Sequence, residues 1–223
     1  MMDAKTVLDK LVSHTNPKNV EGMARFGICA HNTLGVSMPV LRKMGKEIGK
    51  DHILALLLWD SGIHEARILA ALVDDPKFVT EKQMESWVAG FDSWDVCDQV
   101  CMNLFDRTPF AYDKAATWSR RKEEFVKRAG YAMMASLAVH DKKAPDSKLA
   151  AFFPHIIRGA DDKRNFVKKA VNWALRQIGK RNAVLRDAAL KCAHKVAAID
   201  CKAARWIASD VIRELEKKAK KLL

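Results

Sequence analysis

Apolar positions recur along this chain at intervals of three and four. Val126, Ala129, Met133 and Leu137 form one stripe, Phe166, Ala170, Ala174 and Ile178 a second, and Leu185, Ala189, Cys192 and Val196 a third. That spacing gathers side chains on one face of an α-helix, whereas a half-buried strand needs alternation, and no six-residue stretch alternates cleanly. Boundary signals separate the stripes. Asn16-Pro17 offers a cap followed by proline at the first helical position, and Ser37-Met-Pro nearly repeats it. Thr80-Glu-Lys-Gln83 has the form of a capping box, and Ser93 and Asp161 suit the caps of the runs that follow. The pattern predicts helices over thirteen ranges, roughly 3–14, 18–31, 38–49, 52–60, 62–73, 81–90, 93–106, 109–118, 122–140, 146–158, 161–180, 183–198 and 200–221. Alanine, leucine, lysine and methionine are abundant and β-branched runs short, so the expected fold class is all-α.

Most of these connections are a few residues long, which makes neighbouring helices antiparallel hairpins. Ala24-Arg25, Glu65-Ala66-Arg67, Lys127-Arg128-Ala129 and Lys168-Lys169-Ala170 each set an alanine beside charged residues at a helix opening, with alanine spacings of 42, 63 and 41. Two of the three spacings fit the roughly 40–47 residues of HEAT or armadillo helix pairs. The longer gap then holds an extra or irregular unit, and it contains Trp94 and Asp98. No linker or low-complexity segment divides the chain, so one domain over residues 1–223 is expected.

Charge narrows the partner. The 223 residues suffice for a real core, and 39 Lys+Arg against 27 Asp+Glu give a net charge of +12. Nucleic acid is the first partner to consider, because neutralising phosphates releases counterions. A membrane surface comes second, and no window has the apolar length to span a bilayer. The Met-Met-Asp-Ala-Lys start is not a secretion signal, so a cytoplasmic location is expected. The excess is uneven: residues 1–120 hold 14 Lys+Arg against 16 Asp+Glu, and residues 161–223 hold 17 against 7. The lysine-rich last ten residues read as a solvated helix end. Lys163, Arg164, Lys168, Lys169, Arg176, Lys180, Arg181 and Arg186 lie inside the fold and carry the functional signal. Five cysteines without a Cys-x-x-Cys pair argue for reduced thiols rather than zinc or a disulfide framework. Cys97 and Cys101 read as small core residues on one helix face.

Trp94 and Asp98 stand four apart, one turn along a single helix face. Trp173 shares a face with Lys169, Arg176 and Lys180, away from its helix's apolar stripe. A tryptophan so placed is either half-buried against a neighbouring helix or present to touch a ligand, and stacking on nucleic acid would use it. Arg128, preceded by Lys127, has the fork that clamps a phosphate, or is an ordinary surface arginine. Phe26 reads as core more than contact. The histidines are scattered, and no phosphate loop, nucleophile elbow or dinucleotide fingerprint occurs.

Trp94-Asp-Val-Cys-Asp98, the Arg128-Ala helix start and Phe166-Val-Lys-Lys-Ala-Val-Asn-Trp173-Ala-Leu-Arg176 together resemble the AlkD family of alkylpurine DNA glycosylases. Met23-Ala-Arg-Phe26, Leu34-Gly-Val with Pro39 and Arg42, and Leu58-Trp-Asp with His64-Glu-Ala are similar in order and spacing, and the likeness runs from about residue 20 to about 182. The resemblance implies a C-shaped solenoid of HEAT-like helix pairs. It implies a monomer on duplex DNA that hydrolyses the N-glycosidic bond of N3- or N7-alkylated purines, without metal or cofactor. It assigns catalysis to Asp98, with Trp94 and Trp173 flanking the damaged nucleotide and Arg128 on the DNA backbone; the basic faces add Lys127, Lys169 and Arg176 as expected DNA contacts, with Phe26 near the active site. Two departures stand out: Phe26 replaces a tyrosine of the type members, and Ser93 stands where a second aromatic would be. The same basic concavity would also serve a non-catalytic binder of DNA structure, or a scaffold for an acidic protein.

Overall fold

The computed structural model describes residues 3–28 and 30–220, the last three by backbone alone. Among the described residues every regular element is helical. The chain forms two compact units, residues 1–108 and 109–223. The first holds α1 (Ala4–Ser13), α2 (Pro17–Ala24), α3 (Met38–Ile48), α4 (His52–Asp60), α5 (His64–Val73), α6 (Glu81–Ala89), α7 (Trp94–Asn103) and a 3-10 turn at Phe105–Arg107. The second holds α8 (Ala111–Trp118), α9 (Glu124–His140), α10 (Asp146–Ala150), α11 (Phe153–Gly159), α12 (Asn165–Gly179), α13 (Ala183–Ala197) and α14 (Lys202–Lys220).

Every predicted range contains a helix, and the differences have local causes. The 18–31 helix stops at Ala24, because Gly27, Asn32 and Gly35 take positive φ and turn the chain into an irregular connection. Ala24 is therefore exposed at a helix end, unlike the fully buried Ala66, Ala129 and Ala170. The 146–158 helix is broken at Ala151-Phe152, with Pro154 in the first turn of α11. Asn16 caps α2 as expected by accepting from Asn19 N–H. Thr80 caps α6, but the capping box is only half made, since Gln83 donates to Asp74 at 2.7 Å. Asp161 is not a cap. α12 opens four residues later behind a turn held by Asp162, which accepts the Arg164 N–H at 3.1 Å.

In the first unit α5 is buried on nearly every side between α3, α4 and α7. An aromatic cluster packs beside its first turn, under Arg67, with Trp59 stacked on Trp87 at 4.3 Å and Phe91 edge-on to Trp59. In the second unit α9 plays the same part between α8 and α12, and α12 packs in turn on α13 and α14. The α8–α9 contact is close because Gly130 lacks a side chain: a Cβ there would lie 2.4 Å from the Ser119 nitrogen. Trp118 beside it is 1% exposed, and truncating it to alanine would cost roughly 3–5 kcal/mol. The long gap between Ala66 and Ala129 holds α6, α7, the 3-10 turn and α8, with Trp94 and Asp98 on α7.

Candidate active site

α7 sorts its side chains into two faces. Val96, Cys97, Val100 and Cys101 are fully buried, while Trp94, Asp95, Asp98 and Gln99 are half-buried at the solvent boundary. The expected core role of the two cysteines holds. Burial pushes the Cys101 thiol well above its ordinary range, and Cys97, Asp98 and Asp106 add to the shift. The Asp98 carboxylate is thus felt at Cys101, yet it stands on the wet side of the helix.

The turn that launches α7 is clamped from α5. Arg67 donates to Asp92 at 2.9 Å and to the Gly90 carbonyl, and its guanidinium lies 4.5 Å over the Trp59 ring. Ser93 occupies the N-cap position without capping the backbone; its hydroxyl donates to Asp95 instead. Asp95 also pairs with His64 at 2.8 Å. Burial alone would raise the Asp95 carboxyl, but the bonds to His64 and Ser93 outweigh it and hold the group below the usual aspartate range.

A cavity of about 420 Å³ opens beside Trp94 within the first unit. Its bed is apolar, with Met23, Ile28, Met38, Leu41 and Ile68, and its rim carries Lys18, Phe26, Trp94, Asp95 and Gln99. Phe26 is not core: it is 70% exposed, a correction to the sequence reading, because α2 ends before it and Gly27 turns the chain away. The Trp94 indole donates to the Phe26 carbonyl at 3.0 Å and ties that turn to α7. The floor is fixed by Glu65, whose carboxylate accepts backbone N–H bonds from Leu34, Gly35 and Val36 at 2.9, 2.6 and 3.3 Å. Gly35 is required there, since its φ is 76° and a Cβ would meet the Asn16 carbonyl at 2.2 Å.

The second unit distributes its basic residues unequally. Arg128 is 6% exposed and donates to the Phe166 carbonyl at 2.6 Å, so this guanidinium holds the start of α12 against α9 and is not a surface arginine. Lys127 pairs with Asp162 at 2.9 Å, and Arg164 joins the same carboxylate while donating to the Lys122 carbonyl. Burial would raise Asp162, but the bonds from Arg164 and Lys127 prevail and hold it well below the usual range. On α12, Arg176 pairs with Asp210 and Glu214, and Lys180 with Glu214, so α14 neutralises part of the face read as open and basic. Trp173 is half-buried on that helix, and Lys169 is exposed, as are Arg120, Lys122 and Lys163 near the openings of α9 and α12.

Sequence reasoning missed the His64–Asp95 pair, the Glu65 floor and the Arg67 clamp. His64-Glu-Ala-Arg67 was visible as a motif, but its partners lie 23 to 31 residues away. Among the described residues no group of three or more His, Cys, Asp or Glu is arranged to hold a metal ion. No helix among them is long and apolar enough to cross a membrane.

Within each unit the helices pack side by side, α5 against α7 in the first and α12 against α9 and α14 in the second, and the all-helical chain has the HEAT-like α-α repeat class of fold. A solved structure from a new family of proteins related to the HEAT-like repeat DNA glycosylases with affinity for branched DNA structures has this fold, with a TM-score of 0.79. It shares 21% identity, and the match covers 96% of this chain and 95% of that one. A designed armadillo repeat protein matches at 15% identity over 79% of this chain and 92% of its own, with a TM-score of 0.37. No curated protein matches. The profile of the DNA alkylation repair enzyme family matches residues 7–215, and the chain belongs to that family.

Proposed function

We propose that this protein is a DNA glycosylase that removes N3- or N7-alkylated purines from duplex DNA. The observation that carries the reading is the position of Asp98. A carboxylate that served only to solvate a helix would have no need of a buried thiol layer behind it and a tryptophan one turn before it. Alkylation makes the purine cationic and a good leaving group. As the N-glycosidic bond breaks, its electron pair neutralises the base and positive charge develops on the sugar. An ionised Asp98 stabilises that charge and orients the water that adds to the sugar carbon, with the water proton passing to the carboxylate and then to solvent. In the second unit, Lys169 with Arg120, Lys122 and Lys163 supplies open cations for phosphates, and half-buried Trp173 contacts the DNA. Arg128, Lys127 and Arg176 shape that surface chiefly through the ion pairs and carbonyl bond that hold α9, α12 and α14. The test is release of free base from duplex DNA carrying N7-methylguanine, with Asp98→Asn as control.

A second reading, a binder of DNA structure without catalysis, draws on the structural neighbour with affinity for branched DNA and on Phe26 in place of the family tyrosine. Position 98 separates the two. A binder gains nothing from a carboxylate near phosphates, and its neutral variant would bind better with no activity to lose.

A further inference from the structure

The apolar stripe of α14 is complete without Trp206. Ala204, Ile207, Val211 and Leu215 are fully buried, whereas Trp206 is 42% exposed and stands beside the exposed Lys202 and Arg205. The Lys168 ammonium of α12 lies 4.8 Å over its ring, one residue from the open cation Lys169. A cation over one face fixes the plane of an indole and leaves its exposed remainder for a second flat partner.

Three inter-helix turns lie in a row here in the second unit. Arg164 in the α11–α12 turn donates to the Lys122 carbonyl of the α8–α9 turn at 2.7 Å, and the Cys201 thiol before α14 reaches the Asp161 carbonyl at 3.5 Å. Each turn carries exposed cations with no ion pair among the described residues: Arg120 and Lys122 at the first, Lys163 at the second and Lys202 at the third. The third turn borders an open cleft of about 680 Å³, lined by Lys163, Lys202 and Arg205 and by the exposed Asp161 and Asp200. Asp200 holds Arg205 at 2.8 Å but is 98% exposed, so water screens the pair and a phosphate can replace the carboxylate at little cost. The row of cations thus continues past Lys163, and an aromatic ring stands where it ends. Duplex DNA has no use for that ring, because its bases are stacked on one another. A strand that has left the duplex presents a bare base face, and base–aromatic stacking beside a basic track is how such strands are held. An acidic peptide would use the cations and leave the tryptophan idle.

We propose that the α13–α14 turn is a binding site for an unpaired DNA strand running out of the duplex, with Lys163, Lys202 and Arg205 on its phosphates and Trp206 stacked on one of its bases. The site rests on the reading of the protein as a DNA binder and is independent of base excision.

The test is fluorescence anisotropy of the full chain with a blunt duplex and with the same duplex bearing a single-stranded thymidine tail. The tailed DNA should bind ~10-fold tighter, equal to about 1.4 kcal/mol and within the range of one stacked base. Trp206→Ala should abolish that difference while blunt-duplex affinity stays within ~2-fold, and Trp206→Phe should keep most of it. Lys202→Ala should lower the salt slope for tailed DNA by about one, and Asp200→Asn, which frees Arg205, should tighten tailed binding. Melting by circular dichroism establishes that the variants fold. Equal affinity for the two DNAs overturns the proposal, as do a tail preference that survives in folded Trp206→Ala and equal competition by polyglutamate. Failure to bind either DNA would remove the DNA reading and this site with it, and blunt-duplex binding without tail preference would remove the site alone. A tail preference in a protein that releases no methylated base keeps the site and removes the excision.

Discussion

Arg67 reaches from α5 to Asp92, with Nη1 2.9 Å from Oδ1, and thereby sets the turn from which α7 and its Trp94–Asp98 face begin. Asp92 is open to water, so the ion pair itself adds little. The part-buried bond to Gly90 and the contact with Trp59 matter more. Arg67→Met should lower the stability of the first unit by about 1–3 kcal/mol in urea denaturation. Arg67→Lys should rescue little of it, because an ammonium cannot make both bonds and lie flat on an indole. Full rescue by lysine would mean that charge alone fixes the turn.

Asp98→Asn should reduce base release by at least ~100-fold in single-turnover assays, the scale of one electrostatic group at a transition state. Affinity for the same duplex should stay equal or rise. Near-normal turnover by the variant would take Asp98 out of the reaction.

Two basic residues of the second unit should behave differently. Lys169→Ala should weaken binding to any duplex and flatten the salt dependence by about one counterion. Arg128→Ala should instead lower thermal stability, by about 1–3 kcal/mol, because it removes the bond that ties α9 to the Phe166 carbonyl at the start of α12. A salt-slope change from Arg128→Ala without loss of stability would reverse the assignments.

Trp173→Ala should cut excision more than affinity, since positioning contributes to the barrier while phosphates dominate binding. Because Trp173 is half-buried, the stability loss should stay below the ~3–5 kcal/mol of a fully buried tryptophan. A larger loss, with excision per folded molecule unchanged, would make it a core residue.

Acid should loosen the first unit through Asp95. Its carboxyl lies below the usual range in the fold, so its contribution is complete above the ordinary aspartate pKa of ~3.9 and is lost as pH falls below that value through its own lower pKa. The melting temperatures of the native chain and Asp95→Asn should therefore differ at pH 7 and converge toward pH 2. A gap that did not narrow would place the effect in packing and not in charge.

The helices were legible because their cause is local: the stripes ending in Leu137, Ile178 and Val196 need only neighbours along one face. What failed depended on a backbone turn that side-chain periodicity does not show, or on distant partners. The exposed Phe26 follows from positive φ at Gly27, which the apolar pattern of 18–31 does not report. Arg176 and Lys180 looked like open cations because Asp210 and Glu214 sit on α14, more than thirty residues downstream. The site was half visible. Trp94 and Asp98 showed as a pair at one-turn spacing, whereas the Glu65 floor exists only once the connection before α3 folds back over α5.

The thiol layer under α7 also makes that helix its own clock. Cys97 and Cys101 are wholly buried and the latter is hard to ionise, so an alkylating reagent can modify them only when α7 opens. With the other three cysteines replaced by serine, the rate of labelling measures the local opening of the helix that carries Asp98, apart from unfolding of the whole chain. A DNA that settles on the α7 face would slow that rate in proportion to its occupancy, and would register before any bond is cut.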